Sequence, residues 1–324
     1  MGRMGTKTPL RIAIVGGWHV HAGDYARDTV NHPDTEIVAL WDDDPERGAE
    51  LAERFGTELT DDLAGLLARD DVDGITVTTS TDQHRDVMVA AAKAGKHIFT
   101  EKVLAPTVAE CEEIIAACDE AGVKLVVSLP RLYHGYTQAV KQVLESGVLG
   151  RINYSRVRLA HDGATRGWLP ERFYDPATAI GGALTDLGCH PVYLTQLIHG
   201  TDEVPVRATY ASVTGKAVED HAVVTFSYPG GAIGVAEAGF VTPHCPFSIE
   251  IMGDKGVLVH GLLDQGVQVN TGDGWQPVEI PTEGPDAYAQ WVDHIHSDTR
   301  ADDNIARAVA LTRAVVAANA SAAQ

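Results

Sequence analysis

The chain has 324 residues, an apolar fraction of 44% and a formal net charge of −20. That length allows two domains of about 150 residues each. A surface so acidic repels nucleic acid and anionic lipid, which excludes both as partners and suits small-molecule ligands. No apolar run is long enough to span a bilayer, and "MGRMGTKTP" has no apolar core of a secretory signal. None of the four cysteines (Cys111, Cys118, Cys189, Cys245) sits in a CxxC pair. A reduced, cytoplasmic protein is therefore expected.

In chain order, "LRIAIV" (10–15) is a short apolar run ending in Gly-Gly and reads as a buried strand. A helix to about Val30 and a strand "EIVALW" (36–41) follow. Asp44 and Pro45 open the next helix as cap and first residue, and Gly56 closes it. "DGITVTTS" (73–80) is a strand, "HRDVMVAAAKAG" (84–95) a helix, and "HIFT" (97–100) a strand. Thr107 with Glu110 forms a capping box for a helix with an apolar stripe at Cys111, Ile114, Ile115 and Cys118. "KLVVSL" (124–129) is a fifth strand. Strands alternating with helices predict a doubly wound parallel sheet. Past a boundary near Pro130 the pattern changes. A helix (137–147), a strand (151–161), an irregular stretch (162–181) and a helix after Gly181-Gly182 precede several strand-like runs between 204 and 280. No long helix interrupts those runs, which predicts an antiparallel sheet. An Ala-rich helix runs from about Asp302 to Ala320. The expected fold is an α/β Rossmann domain (1–129) followed by an α+β domain with an open, mostly antiparallel sheet (130–324).

"RIAIVGGWHVHAG" (11–23) has the strand–turn–helix spacing of a dinucleotide loop, but only one glycine of G-x-G-x-x-G: Gly16 is followed by Trp18 and His21 at the other two positions. Gly17 supplies backbone freedom one residue early. The loop alone does not decide between a nucleotide site and a βαβ unit that binds none. Asp42, at the end of the next strand, is placed to accept from ribose hydroxyls. Asp43 and Asp44 follow with no nearby Arg or Lys in that reading, which favours NAD over NADP. Glu101-Lys102 ends the fourth strand, where ligands of such sheets bind. Lys102 can hydrogen-bond a substrate hydroxyl, or it is half of a surface ion pair. Asp186 and His190, four apart, share a helical face, and an imidazole titrating near neutrality suits taking a proton from an alcohol. His19 with His21, and His294 with His296, have a spacing that helices do not bring together. His244, Cys245 and His260 make no complete ligand set, and no metal is expected.

Taken together these segments resemble the Gfo/Idh/MocA oxidoreductases. The resemblance rests on "IAIVGGWHVHAG", "VALWDDDPERGAELAERFG", "VTTSTDQHRDVMVAAAKAGKHIFTEK", "AVKQVLESGVLGRI" and "GGALTDLGCHPVYL", in that order. It implies a catalytic group of Lys102, Asp186 and His190, with His190 the acid/base. It implies a cofactor site of Gly16, Gly17, Trp18, His19, Val20, Asp42, Glu101 and Lys102, with Thr79, Ser80, Thr81 and His84 from a loop lying against the cofactor. The sequence departs from the family pattern at Trp18, His21, Val103 (for proline), Thr79-Ser80-Thr81 and Tyr193 (often Asp). The expected activity is NAD-dependent hydride transfer at a secondary hydroxyl of a sugar, cyclitol or glycoside. His161, Arg166, Trp168 and Tyr174 are expected to select the substrate. Two rivals are a sugar-processing enzyme with tightly held NAD and no net redox, and a non-catalytic NAD or sugar sensor. A homodimer or homotetramer is implied by the resemblance.

Overall fold

The computed structural model describes residues 8–244, 247–263 and 266–323. Strand β1 (Leu10–Val15) ends in four fully buried residues. Helix α1 (Ala22–Asn31), strand β2 (Thr35–Trp41) and helix α2 (Pro45–Phe55) follow. Helix α2 starts where side-chain chemistry dictates. The Asp44 carboxylate accepts from the N–H groups of Glu46 and Arg47 at 3.0 and 3.1 Å, Pro45 needs no N–H partner, and Gly56 turns left-handed at φ 64°. The alternation continues through β3 (Leu59–Thr60), α3 (Leu63–Leu67), β4 (Gly74–Val77), α4 (His84–Lys93), β5 (His97–Thr100), α5 (Val108–Ala121) and β6 (Leu125–Val127). At the start of α5 the Thr107 hydroxyl accepts from the Glu110 N–H at 3.2 Å and donates to its carboxylate at 2.7 Å. The six strands are parallel in the order β3-β2-β1-β4-β5-β6. Strand order reverses between β1 and β4, and a crevice at such a point is where ligands bind in open α/β sheets.

Beyond Ser128 come α6 (Gly135–Ser146), β7 (Ile152–Ala160) and two short helices, α7 (Gly163–Arg166) and α8 (Pro176–Ala179). The stretch expected to be irregular thus contains two single turns. A π-helical turn at Leu184–Gly188 runs into α9 (Cys189–His199). Strands β8 (Val206–Ala211), β9 (His221–Ser227), β10 (Ile233–Gly239), β11 (Ser248–Gly253), β12 (Val257–His260), β13 (Val267–Asn270) and β14 (Gln276–Val278) follow, then α10 (Ala287–Ser297) and α11 (Asp302–Ala322). The second sheet has eight strands in the order β14-β13-β12-β11-β7-β10-β9-β8. Only the central pair β7 and β10 is parallel, so the sheet is mostly antiparallel.

Two compact units form: Met1–Ser128 with Ala287–Ile305, and Leu129–Asp286 with Ala306–Gln324. The return of the chain to the first unit is not written in the strand–helix alternation. It is carried by α10, where fully buried Trp291 donates to the Lys124 carbonyl at 3.3 Å and the Tyr288 hydroxyl donates to Thr29 Oγ1 at 2.9 Å.

In the second unit, α9 is tied to the sheet by His199, whose Nε2 lies 2.9 Å from Ser155 Oγ and whose ring stacks on Tyr228 at 4.4 Å. Burial pushes this imidazole down from 6.5 to about 4. A ring that stays neutral in the folded state but protonates in the unfolded one favours unfolding as acid is added. Its stabilising share is complete above pH 6.5 and is lost as pH falls toward about 4. We predict a falling urea midpoint across that window, and a shallower fall in His199→Asn. Equal slopes in the two proteins would show that His199 does not set it.

Candidate active site

In the first unit the turn after β1 is built by two glycines. Gly16 sits at φ 88°, and a Cβ there would lie 2.7 Å from the Thr79 nitrogen and 2.9 Å from its Cα. No side chain fits. The Gly16 N–H donates to the Trp41 carbonyl at 2.7 Å, and the Thr78 hydroxyl donates to the Gly16 carbonyl. Gly17 donates its N–H to Asp42 Oδ2 at 2.6 Å, and a Cβ there would lie 2.8 Å from the same oxygen. Gly17 is thus demanded by the close packing of Asp42 and Arg47 against the turn. Trp18 and His19 are buried and Val20 is exposed. Gly16 and Gly17 therefore form a tight cradle ahead of α1, with both N–H groups donated to Trp41 and Asp42.

Asp42 is buried at the end of β2, as expected, but its oxygens are already engaged. Besides Gly17 it accepts from the Asp44 N–H at 2.9 Å and from Arg47 Nε at 3.0 Å. Burial pushes its carboxyl up against the pull of Arg47. Arg47 also bonds Asp43. This corrects the expectation that no basic residue stands near these acids: one turn of α2 brings Arg47 back over them. The charge argument for NAD over NADP falls with it.

Thr79, Ser80 and Thr81 are buried beyond β4. His84 is spent as a brace: its Nδ1 lies 3.1 and 3.2 Å from the Val103 and Leu104 carbonyls. Burial lowers the pKa of its ring. Glu101 and Lys102 are not a surface pair. Both are buried, with Lys102 Nζ 3.4 Å from Glu101 Oε1, and the Lys102–Val103 peptide is cis. Around Glu101 Oε2 converge the Tyr25 hydroxyl, His21 Nδ1 at 3.2 Å and His19 Nδ1 at 3.6 Å. Lys102 Nζ also lies 3.5 Å from His19 Nε2. Burial alone would raise the Glu101 carboxyl. The charges of His19, Lys102 and His21 outweigh it and hold the group well below the usual carboxylate range. The expectation that His19 and His21 stay apart is thus wrong. They sit on the loop and at the cap of α1, not within a helix, and their rings lie 4.5 Å apart.

In the second unit, Asp186 lies in the π turn and His190 in the first turn of α9. His190 is buried, and its Nδ1 lies 2.8 Å from the Tyr193 hydroxyl. That hydroxyl oxygen accepts the Arg131 N–H at 3.1 Å. Tyr193, seen in the sequence only as a departure, is the residue that orients the imidazole. The Gly181-Gly182 pair also has its reason. Gly182 and Leu184 donate their N–H groups to the Glu219 carboxylate at 2.9–3.1 Å, and a Cβ on Gly182 would meet the Glu219 carbonyl at 2.0 Å. Nothing in the sequence pointed to Glu219. We predict that Glu219→Ala, which strands two N–H groups from a charged acceptor, lowers the unfolding free energy by about 2–4 kcal/mol, measured by chemical denaturation. A loss below about 0.5 kcal/mol would leave Glu219 without this role.

Of the residues expected to select substrate, three gather. The His161 ring stacks on Phe240 at 4.9 Å and meets Trp168 at 4.7 Å. Asp162 accepts from Trp168 Nε1 at 3.0 Å and pairs with Arg166 at 2.7 Å. Trp168 is half exposed, as a stacking platform requires. Tyr174 is buried instead, with Lys216 4.5 Å above its ring.

A glycine-built turn at the strand-order reversal of a doubly wound sheet, with an acid ending the neighbouring strand, is the arrangement of a dinucleotide-binding fold. Residues 10–129 match the model of the oxidoreductase family with NAD-binding Rossmann fold, and residues 137–259 match the GFO/IDH/MocA C-terminal domain. The chain belongs to the GFO/IDH/MocA oxidoreductase family. It is 27% identical over 266 residues to a 1,5-anhydro-D-fructose reductase from Ensifer adhaerens, covering 80% of this chain and 74% of that protein. It is 24% identical to inositol 2-dehydrogenase from Rhizobium meliloti, over 82% and 80% of the two chains. A match to a dTDP-3,4-didehydro-2,6-dideoxy-alpha-D-glucose 3-reductase from Actinomadura kijaniata is 28% identical and spans 57% of that protein's length. The crystal structure of GenD2 from gentamicin A biosynthesis, in complex with NAD, superposes with a TM-score of 0.83 at 28% identity, over 99% of this chain and 96% of that one. Among the described residues, no helix is long and apolar enough to cross a membrane.

Proposed function

We propose that this chain is an NAD(P)-dependent dehydrogenase acting on a secondary hydroxyl of a sugar, cyclitol or glycoside. The observation that carries the reading is the buried imidazole of His190, with Nδ1 held by Tyr193 and Tyr193 held by the Arg131 backbone. A ring fixed at Nδ1 presents Nε2 for proton exchange. The names of the relatives support the substrate class, since they act on an anhydro-fructose and an inositol.

Gly16, Gly17, Trp18, His19 and Val20 would hold the coenzyme's phosphates, with Thr79–Thr81 beside them and Asp42 toward the ribose. The nicotinamide supplies the hydride acceptor when bound. His190 Nε2 takes the hydroxyl proton of the substrate. Lys102 and Asp186 hold the substrate's oxygens, and His161, Arg166 and Trp168 face the rest of the sugar. Tyr174, buried under Lys216, acts on that loop from below rather than on substrate.

The protein works in the cytoplasm as a homodimer or homotetramer in this reading. The deciding experiment is a screen of polyols and glycosides with NAD and with NADP, read at the absorbance of the reduced nicotinamide. Accumulating NADH supports the proposal. Product formed with no accumulation of reduced coenzyme would replace it with a reaction lacking net redox.

A further inference from the structure

Sequence spacing gave no reason to expect a metal, and the fold removes the ground for that expectation. Val20 separates His19 from His21, and the turn between β1 and α1 brings both rings beside the carboxylate that follows β5, with His19 Nδ1 also accepting the His21 N–H at 3.2 Å, a bond an ion would replace. His21 Nδ1 lies 3.2 Å and His19 Nδ1 3.6 Å from the same oxygen, Glu101 Oε2. One ligand atom from each of the three residues lies within 4.8 Å of the others. Nitrogen and oxygen ligands bound at about 2.0–2.1 Å to a tetrahedral ion stand about 3.4 Å apart. The two separations bracket that value before any ion enters.

We propose that His19, His21 and Glu101 bind a divalent transition-metal ion of the zinc type through two imidazole Nδ1 atoms and one carboxylate oxygen. Two imidazoles select a borderline metal over magnesium or calcium, which take oxygen ligands. The set has three protein ligands, so a fourth position remains for water or a small oxygen ligand. A neutral histidine presents Nδ1 once its proton resides on Nε2, and in His19 that proton faces Lys102 Nζ at 3.5 Å, which adds to the opposition from Lys102. The Tyr25 hydroxyl, which donates to Oε2, is the outer partner that keeps the carboxylate turned toward the site. His21 provides the entry path: its side chain is 36% exposed, whereas those of His19 and Glu101 are 5% and 2% exposed. The bound ion would tie the loop after β1 to the end of β5, where Trp18 and His21 stand in place of two glycines.

One neighbour opposes the ion. Lys102 Nζ lies 3.4 Å from Glu101 Oε1 and 3.5 Å from His19 Nε2, so its ammonium repels a divalent cation. Site and charge together give a prediction with two signs. The test uses the full-length chain, stripped with a chelator and titrated with Co²⁺ alone, read by the visible d–d absorption of tetrahedral cobalt. One equivalent is expected to bind and to be displaced by Zn²⁺. His21→Gln and His19→Gln should each weaken binding on the order of 100-fold. Lys102→Met, which removes the opposing charge, should tighten it by about tenfold or more. Circular dichroism checks that each variant is folded, and partly exposed His21 is the one whose replacement disturbs packing least. A wild-type chain without the bands, or cobalt bound equally by His21→Gln, overturns the site and leaves a hydrogen-bonded cluster. The readout needs neither coenzyme nor substrate. A failed dehydrogenase screen and a failed metal titration are therefore separate results.

Discussion

His190→Ala is expected to lower kcat by about 10²–10⁴-fold, the usual worth of a positioned general acid or base, while NAD binds as before. The reason lies in where the ring sits. His190 belongs to the second unit, and the glycine cradle to the first. Calorimetry of the variant with NAD should match the wild type, while the absorbance assay falls. Tyr193→Phe is the companion variant. It removes the hydroxyl 2.8 Å from Nδ1 but keeps the aromatic body. Its loss should appear in kcat and in the pH profile rather than in KM. Unchanged turnover in His190→Ala would strip the imidazole of its role.

Gly16→Ala is expected to weaken NAD binding on the order of 100-fold and to cost about 3 kcal/mol or more of stability. Two penalties add at one residue. An alanine at φ 88° is strained wherever it occurs, and here its Cβ would also lie within 3 Å of the Thr79 backbone. Thr79 cannot yield cheaply, because Thr78 beside it is bonded on both sides: its hydroxyl to the Gly16 carbonyl and its N–H to the Val15 carbonyl at 2.9 Å. The cradle must therefore open. Fluorescence titration with NAD and thermal melting measure the two losses. Near-normal affinity would mean that the pyrophosphate is held elsewhere.

Local rules made the first unit legible. Asp44 and Pro45, Thr107 with Glu110, and Gly56 mark helix ends by side-chain chemistry that needs no tertiary context, and each does so in the structure. The strand–helix alternation fixed the parallel sheet for the same reason. What stayed hidden depends on contacts between distant residues. The two-residue edge strand β3 is too short to carry a period. Helix α10 joins the first unit through Trp291 and Tyr288, and nothing in its own pattern names Lys124 or Thr29 as partners. The Gly16-Gly17 turn is legible because backbone geometry demands glycine there, and Asp42 because it directly follows β2. Arg47 was misjudged because helical return, not sequence adjacency, brings it over Asp42. The closeness of His19 and His21 is hidden by a spacing rule that holds for helices and not for a loop. Glu219 lies 37 residues from Gly182, its first partner, and no motif links them.

The turn at Leu184–Gly188 has one more consequence. A π turn is an α-helix carrying a surplus residue, with poorer backbone hydrogen bonding than its neighbours. Deleting one residue within it would regularise the helix, and the shortened protein should melt later than its parent. The same deletion would swing everything on one side by about 100°, the angular step of a residue in an α-helix. If the residue removed lies between Asp186 and His190, the two then stand three apart instead of four, turned by that angle relative to each other. On the proposed reading, which sets Asp186 and His190 at the substrate, the regular helix is expected to be the less active one, and the surplus residue is kept at the expense of thermal resilience.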